Sequence, residues 1–280
     1  MLLLLLVACT ADPAAPVLAF SAIPDQDTGL LEQRFAPVTA YLASALEVPV
    51  EFVPATDYTA AVELFRTGDV QLAWFGGLTG VQARQAVPGA HAIAQGAEDR
   101  QYKSYFIAHS SSGLVPSDGF PEGIGAVSFT FGSEASTSGR LMPEHFIRQA
   151  TGKTPAEFFT AGHSFSGAHD KTAKLVESGQ VKAGVLNYAT WDSMVAEGRV
   201  DPAKAQVIWT TPTFADYNLT AHPDLESRFG AGFTERLQRA LVEMSDPPLL
   251  EAFQRSALVP ASDVDYAEVL AVARALDMVR

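Results

Sequence analysis

The chain has 280 residues, of which 48% are hydrophobic and 18% are charged, a composition that can build one large core or two modest ones. It carries 32 acidic and 19 basic side chains, for a net charge of −13, so it lacks the basic surface expected of a nucleic-acid-binding protein. The negative charge does not exclude anion binding, because the neutral dipoles of a closed cleft can hold an oxyanion.

The first nine residues have the pattern of a bacterial export signal. Residues 1–7 form an apolar run far shorter than the roughly 20 residues of a membrane-spanning helix, so we interpret it as a secretion signal. The stretch Leu6-Val7-Ala8-Cys9 resembles a lipobox, which predicts lipidation of Cys9 and a leader that extends to residue 16. The alternative is a chance apolar N-terminus with a free thiol. Because Cys9 is the only cysteine, disulfides and thiolate metal sites are excluded.

Strands and helices alternate along the first third of the chain. The pattern predicts strands at 17–23, 48–53 and 70–75, and helices at 30–46, 59–67 and 78–86. Strands that are interleaved with helices of this length favour a parallel α/β architecture.

A second α/β series occupies the middle of the chain, and the C-terminal part is mostly helical. The pattern predicts strands at 126–131, 183–186, 206–210 and 218–221, and helices at 138–150, 171–178, 189–196, 233–244, 249–254 and 266–276. We interpret this order as two lobes, with residues 17–107 and 211–280 in lobe 1 and residues 108–210 in lobe 2. Two crossings, near Ile107 and Thr211, would form a hinge. The strand ends of both lobes would then face a ligand cleft.

The strongest candidate for a binding site is a run of hydroxyl side chains between a predicted strand and a predicted helix. Ser136, Thr137 and Ser138 lie where this helix begins. Their hydroxyls, the unpaired backbone N–H groups and the positive end of the helix dipole therefore point the same way. This arrangement suits a tetrahedral anion without any lysine. Helix capping is the alternative, although a cap needs only one hydroxyl.

Five further residues stand next to predicted elements at the edges of the cleft. His169 precedes a helix, where it can donate a hydrogen bond to an anion or serve as an ordinary core or surface residue. Tyr58 and Tyr102 each offer a phenolic donor, with a half-buried aromatic side chain as the alternative. Asp216, like Asn187, follows a strand and could also be a turn residue.

An enzyme is the less favoured alternative. The hydroxyl run, His169 and Asp216 include the residue types of a nucleophilic triad. However, the sequence contains no Gly-x-Ser-x-Gly, no His-Glu-x-x-His and no phosphate-binding Gly-x-x-x-x-Gly-Lys-Ser/Thr motif. We therefore predict no catalytic residue, no cofactor and no metal ion.

Five short motifs occur in order along residues 17–257. They are Ala55-Thr56-Asp57-Tyr58, Val70-Gln71-Leu72-Ala73-Trp74-Phe75-Gly76-Gly77, Tyr102-Lys103-Ser104, Ser136-Thr137-Ser138-Gly139 and Gly167-Ala168-His169. In this combination they resemble the phosphonate/phosphite/phosphate-type substrate-binding proteins of ABC transporters. The resemblance implies an α/β, two-lobed periplasmic-binding-protein fold of type II, with two hinge crossovers. It also implies an extracytoplasmic protein with a permease and an ATPase as partners, which binds a small oxyanion through Tyr58, Tyr102, Ser136, Thr137, Ser138 and His169, and through Asp216 in phosphonate binders.

Two residues bear on which anion is bound. Ala189 stands where aminoalkylphosphonate binders have an acid, which argues against an aminophosphonate because a buried ammonium would be unpaired. Sulfate and selenate carry no proton near neutral pH, so Asp216 would repel them if it faced the cleft, and a protonatable phosphorus oxyanion would be favoured. The opening Ser21-Ala22-Ile23-Pro24-Asp25 nevertheless resembles a branch labelled as selenate importers. A selenate or selenite binder and a sensor-coupled binding protein therefore stay open.

Overall fold

Two β-sheets organise the chain in the computed structural model, which describes residues 15–279. A six-stranded sheet is built from both ends of the chain, and a five-stranded sheet from its middle. The strands are β1 (Leu18–Ala22), β2 (Val50–Phe52), β3 (Leu72–Phe75), β4 (His91–Gly96), β5 (Ser104–His109), β6 (Phe129–Phe131), β7 (His163–Phe165), β8 (Ala183–Asn187), β9 (Ala205–Thr210), β10 (Asn218–Ala221) and β11 (Leu258–Pro260).

The six-stranded sheet has the strand order β11-β4-β10-β3-β1-β2. Strand β1 is parallel to both β2 and β3, so that Phe20 lies opposite Phe52 on one side and Leu72 on the other. Strand β10 returns from the C-terminal part of the chain and lies antiparallel between β3 and β4. The strand predicted at 218–221 is confirmed as β10, whereas the sequence pattern predicts neither β4 nor β11.

The five-stranded sheet has the order β7-β6-β8-β5-β9. Strands β6, β7 and β8 are parallel, and β5 runs antiparallel to β8 and β9. The carboxyl ends of the parallel strands β6 and β8 therefore lie at one edge, where the chain turns into the segments that carry Ser136 and Tyr188.

Helices cover the faces of both sheets. They are α1 (Thr28–Leu46), α2 (Tyr58–Arg66), α3 (Gly77–Ala86), α4 (Met142–Thr151), α5 (Pro155–Phe158), α6 (His169–Glu177), α7 (Tyr188–Ala196), α8 (Leu225–Phe229), α9 (Phe233–Val242), α10 (Pro247–Glu251) and α11 (Ala267–Ala275). The helix predicted from residue 138 begins with a wider π-helical turn, Thr137–Leu141, before α4. No helix within residues 15–279 is both long enough and apolar enough to cross a bilayer.

The chain passes between the two sheets at two adjacent segments. Tyr102 and Phe214 form an antiparallel bridge, with hydrogen bonds of 2.9 Å in both directions between their backbones. Strand β5 begins at Ser104 in the five-stranded sheet, so the first crossing lies a few residues before the predicted boundary near Ile107. The difference arises because Ile107 belongs to an apolar strand whose sequence does not indicate which sheet it joins.

The lobes are closed against each other. The larger hydrophobic core surrounds the six-stranded sheet, and three side chains at the start of α4 in the middle segment, Leu141, Met142 and Phe146, join it. Two smaller cores flank the five-stranded sheet. The cleft between the lobes is therefore lined by buried side chains from both.

Candidate functional site

The hydroxyl run lies at the first turn after β6, as predicted. Ser136 caps this turn, and its Oγ accepts a hydrogen bond of 2.9 Å from the backbone N–H of Gly139. The Oγ1 of Thr137 accepts a 2.9 Å hydrogen bond from the N–H of Leu78 in the other lobe. Both oxygens act as acceptors in these bonds, and each hydroxyl still carries a proton that it can donate. Ser138 is also buried.

His169 is the first residue of α6 and is buried. Its Nδ1 accepts a hydrogen bond of 3.2 Å from the backbone N–H of Asn187, which places the ring proton on Nε2. Burial lowers the pKa of His169 from 6.5 to about 4, against a smaller opposite effect of Asp25, so the ring is neutral at pH 7. Nε2 is buried and has no hydrogen-bond partner within residues 15–279. His169 therefore presents one N–H donor without carrying a charge.

The two tyrosines predicted to line the cleft are both buried. Burial raises the pKa of each hydroxyl well above 10, so both stay protonated and can donate. The hydroxyl of Tyr58 has no partner with hydrogen-bond geometry in the described part of the chain, although Ser136 lies close enough to lower its pKa. Tyr102 stands at the first crossing, and its ring packs against those of Tyr188 and Tyr217.

Asp216 lies just before β10 and is 1% exposed. Its Oδ1 accepts a hydrogen bond of 2.9 Å from the backbone N–H of Gly77. Its Oδ2 is buried without a hydrogen-bond partner among the described residues, although Thr137 and Ser138 lie close enough to lower the pKa. Burial is the larger effect and raises the pKa of Asp216 from 3.8 to about 6. At neutral pH Asp216 therefore presents one carboxylate oxygen as an acceptor.

Asp25 is a buried carboxylate that the sequence analysis does not assign to the site. Its Oδ2 accepts a hydrogen bond of 2.8 Å from the hydroxyl of Tyr217, and its Oδ1 is buried without a partner in the described chain. Asp25 follows the carboxyl end of β1, and that position at a sheet edge is the signal that could have identified it.

Three hydrogen bonds join the two lobes around these residues. They run from the His169 N–H to the Asp25 carbonyl (2.9 Å), from the Leu78 N–H to the Thr137 Oγ1 (2.9 Å), and from the Asn187 Nδ2 to the Tyr217 hydroxyl (3.0 Å). These bonds form only in the closed arrangement, because each has one partner in each lobe. Asn187 thus caps α7 through its Oδ1 and, through its Nδ2, joins Tyr217 in the contacts between the closed lobes.

Four buried polar atoms of these residues, contributed by both lobes, have no hydrogen-bond partner among residues 15–279. Two are donors, the Tyr58 hydroxyl and the His169 Nε2, and two are acceptors, the Asp25 Oδ1 and the Asp216 Oδ2. Since buried polar groups are almost always hydrogen-bonded, this set fits a small polar ligand that both accepts and donates. No group of three or more His, Cys, Asp or Glu side chains in residues 15–279 is arranged to hold a metal ion.

The arrangement differs from that of a nucleophilic triad. A triad needs a carboxylate that accepts a hydrogen bond from the Nδ1–H of its histidine. In this site the Nδ1 of His169 is itself an acceptor, and its donor is the backbone of Asn187. The carboxylate of Asp216 is held by Gly77 instead. His169 and Asp216 are therefore not paired with each other as a triad requires.

The fold and the site together define a two-lobed binding protein that closes around a small polar ligand. The chain belongs to the family of ABC transporter, phosphonate, periplasmic substrate-binding proteins, whose sequence profile matches residues 20–266. The type II fold predicted from the sequence is confirmed by this match and by the solved relatives. Family members are transport binding proteins rather than enzymes, which implies an extracytoplasmic location and the permease and ATPase subunits as partners.

Particular relatives are similar over most of the chain. A probable ABC transporter phosphite binding protein, PhnD1, of Prochlorococcus marinus (strain MIT 9301) is 38% identical over 271 residues, which cover 94% of this chain and 91% of the relative. The solved structure of PhnD1 in complex with methylphosphonate has a TM-score of 0.89 and 37% identity, and covers 94% of this chain and 99% of that chain. The phosphate-import protein PhnD of Mycolicibacterium smegmatis is 27% identical, over 74% of this chain and 66% of that protein.

Proposed function

We propose that this chain captures a small phosphorus oxyanion that still carries a proton, such as phosphite or methylphosphonate, and delivers it to an ABC permease. The observation that carries the proposal is the buried, unpartnered Oδ2 of Asp216, which lies near the hydroxyls of Thr137 and Ser138. A P–OH group can donate to this oxygen while the other ligand oxygens accept from the surrounding donors.

Sulfate and selenate fit the same site poorly. Both are dianions without a proton near neutral pH, so they accept hydrogen bonds and donate none. Each would leave Asp216 unsatisfied and would place like charges together in a buried site, where an unpaired charge is costly. The structure of PhnD1 with methylphosphonate supports a phosphorus ligand for this chain as well. Residues 21–25 resemble the branch labelled as selenate importers, so selenate and selenite are included in the ligand panel.

The Asp25 carboxylate bears on aminophosphonates. Ala189 lies at the start of α7 and supplies no charge, but the free Oδ1 of Asp25 is a buried acceptor that an ammonium group could reach. Asp25 could therefore pair with the ammonium of an aminophosphonate even though position 189 has no acid. For this reason 2-aminoethylphosphonate belongs in the ligand panel.

Binding is proposed to follow a hinged closure. The hydroxyls of Ser136, Thr137 and Ser138 would hold the anion first, and closure would then bring Tyr58 and Tyr102 over it and form the cross-lobe hydrogen bonds. The ligand stabilises the closed form because it satisfies donors and acceptors that are otherwise buried and unpaired.

We propose further that the mature protein is tethered to the membrane by a lipid on Cys9. Cys9 lies outside the described residues, so the proposal rests on the Leu6-Val7-Ala8-Cys9 sequence and on the extracytoplasmic family. Expression of the full chain in a bacterium, followed by membrane fractionation, should find it with the membranes. A Cys9→Ala variant found equally in the membrane fraction would contradict the tether.

Thermal unfolding of the purified protein tests the ligand class. The panel contains phosphite, methylphosphonate, 2-aminoethylphosphonate, phosphate, sulfate, selenate and selenite. A ligand at about 100 times its Kd adds roughly 2.7 kcal/mol, which raises the Tm by roughly 5–10 °C in a chain of this size. We expect the rise with phosphite or methylphosphonate. A rise with selenate or selenite alone would overturn the phosphorus ligand, and no rise with any anion would favour a sensor or a larger ligand.

A further inference from the structure

A buried ion pair lies behind the binding site. The guanidinium of Arg255 forms two parallel hydrogen bonds with the carboxylate of Asp99, with Nε–Oδ2 and Nη2–Oδ1 distances of 2.8 and 2.7 Å. The two side chains are 2% and 0% exposed. The Nη1 of Arg255 donates to the carbonyls of Phe253 and Gln254, each at 3.0 Å. Arg255 is thus fixed between three separate backbone or side-chain acceptors.

The guanidinium of Arg255 also packs against three aromatic rings of the cleft. Its central carbon lies 4.9 Å from the ring centres of Tyr102 and Tyr217 and 5.6 Å from that of Trp74. Tyr102 stands at the first crossing, and Tyr217 donates to Asp25. Arg255 therefore contacts side chains that link the hinge to the ligand cleft. It is not one of the four residues whose unpartnered polar atoms are assigned to the cleft.

Asp99 contacts the site through its backbone as well. Its carbonyl accepts a hydrogen bond of 3.0 Å from the N–H of Asp216, and its Oδ2 accepts one of 2.8 Å from the N–H of Gly96. A Cβ on Gly96 would lie 2.5 Å from the Oδ2 of Asp99 and from two side-chain carbons of Arg255, so this glycine leaves room for the pair. The same residue that holds Arg255 therefore also holds the main chain of Asp216.

Stability alone does not account for this pair. Burial of two charges is costly, and apolar side chains of similar volume often replace a buried ion pair without loss of stability. The pair also acts on the donors of the cleft. Burial raises the pKa of the Tyr102 hydroxyl, and Arg255 is the largest influence that lowers it. A hydroxyl with a lower pKa is a stronger donor to an anion, so the guanidinium favours oxyanion binding from behind the ring.

We propose that Asp99 and Arg255 form a positioning pair for oxyanion capture, which fixes the Tyr102 and Tyr217 rings and the Asp216 backbone and holds the guanidinium end of the pair against those two rings. The inference rests on the proposed function, because it concerns the affinity of the same cleft. Arg255, in the segment between α10 and β11, would therefore influence binding through the residues that it contacts.

Three variants separate positioning from stability. Arg255→Met leaves Asp99 charged and buried, and should lower the Tm of the ligand-free protein. The double variant Asp99→Leu/Arg255→Met replaces the whole pair with apolar side chains and should recover most of that Tm. Arg255→Lys keeps the charge but loses the two-pronged bond to Asp99. The matched control is Arg66→Met, which removes an exposed arginine paired with Glu63.

Calorimetric titration with phosphite supplies the second readout. We expect the double variant to bind at least about tenfold more weakly than the native chain, a loss of about 1.4 kcal/mol. Arg255→Lys should show a Kd between these two, and Arg66→Met should bind as the native chain does. A double variant that folds and binds with the native Kd overturns the inference. If the double variant does not fold, an unchanged Kd in Arg255→Lys overturns it.

The two proposals fail in different ways. A native chain that does not bind any phosphorus oxyanion removes the proposed function. The same variants are then titrated with whichever anion the native chain does bind, since the pair acts on hydroxyl donors that any oxyanion would use. Equal Kd values in that titration overturn the positioning function independently.

Discussion

Replacement of Asp216 by Asn should change which anions the cleft accepts. The amide oxygen can keep the hydrogen bond from the Gly77 N–H, so the backbone on both sides stays in place. The amide nitrogen then stands where the unpartnered Oδ2 stands in the native chain and offers a donor in place of an acceptor. A P–OH group thus loses its partner, whereas sulfate, which only accepts, gains one.

The expected loss of affinity follows from the negative charge of the Asp216 carboxylate. With a pKa of about 6, Asp216 is ionised at pH 7.5, so its bond with a P–OH donor is charge-assisted. Loss of such a bond costs roughly 1.5–3 kcal/mol, or about 10- to 150-fold in Kd. We expect methylphosphonate and phosphite to bind Asp216→Asn more weakly by this factor, and sulfate to become a measurable ligand.

Calorimetric titration at pH 7.5 with methylphosphonate, phosphite and sulfate measures these changes. The exposed Asp69→Asn provides a control that removes one negative charge from the same lobe outside the cleft, and it should leave all three Kd values unchanged. An Asp216→Asn protein that binds methylphosphonate with the native Kd and still rejects sulfate would refute the reasoning, because Asp216 would then not contact the ligand.

Three further outcomes are expected from the site. His169→Ala removes the Nε2 donor and should weaken phosphite binding at least about tenfold, while the calorimetric Kd would be unchanged if the ring does not reach the anion. Gly139→Ala places a Cβ 2.9 Å from the Ser136 Oγ, 3.1 Å from the Gly132 Cα and 3.2 Å from the His169 Cε1, so ligand binding should be lost together with a fall in Tm; native affinity would argue against this geometry. The stability of the closed arrangement should depend on pH in opposite ways through two groups. Burial raises the pKa of Asp216 to about 6, so its contribution is present below about pH 4 and lost as the pH rises through 6. Burial lowers the pKa of His169 to about 4, so its contribution is present above about pH 6.5 and lost as the pH falls through 4. Urea unfolding measures the free energy of unfolding of each variant relative to the native chain. As the pH falls from 7 to 4, this relative free energy should fall for Asp216→Asn and rise for His169→Gln, by up to about 3 kcal/mol in each case. Parallel pH profiles for the native chain and both variants would contradict both pKa assignments.

The alternation of strands and helices made the architecture predictable from the sequence. Strands such as 17–23 and 70–75 are mostly apolar runs between turn signals, and they form the parallel centre of the larger sheet. Strands β4 and β11 escaped prediction because they lie at one side of that sheet, antiparallel, and lack a strong apolar run; β11 has three residues and includes a proline. The pairing of β10 with β3 and β4 depends on contacts across about 140 residues, which local patterns do not carry.

The candidate site was predictable where a motif stands at a strand end. The hydroxyl run and His169 have such positions, and the structure brings both to the cleft with Tyr58 and Asp216. Asp25 has only its position after the carboxyl end of β1 as a signal, and Arg255 has none, since it lies on a short connection before β11. Their importance follows from the partners they meet in the folded chain, Tyr217 for Asp25 and Asp99 for Arg255.

A crystal structure of the protein with methylphosphonate would show whether the cleft binds a protonated phosphorus oxyanion between Asp216 and the donors of both lobes. We expect one ligand oxygen about 2.5–2.7 Å from the Asp216 Oδ2, as for a charge-assisted O–H···O⁻ bond, and another within hydrogen-bond distance of the His169 Nε2. A ligand bound elsewhere, or an Asp216 side chain turned away from it, would mean that Asp216 does not select the anion.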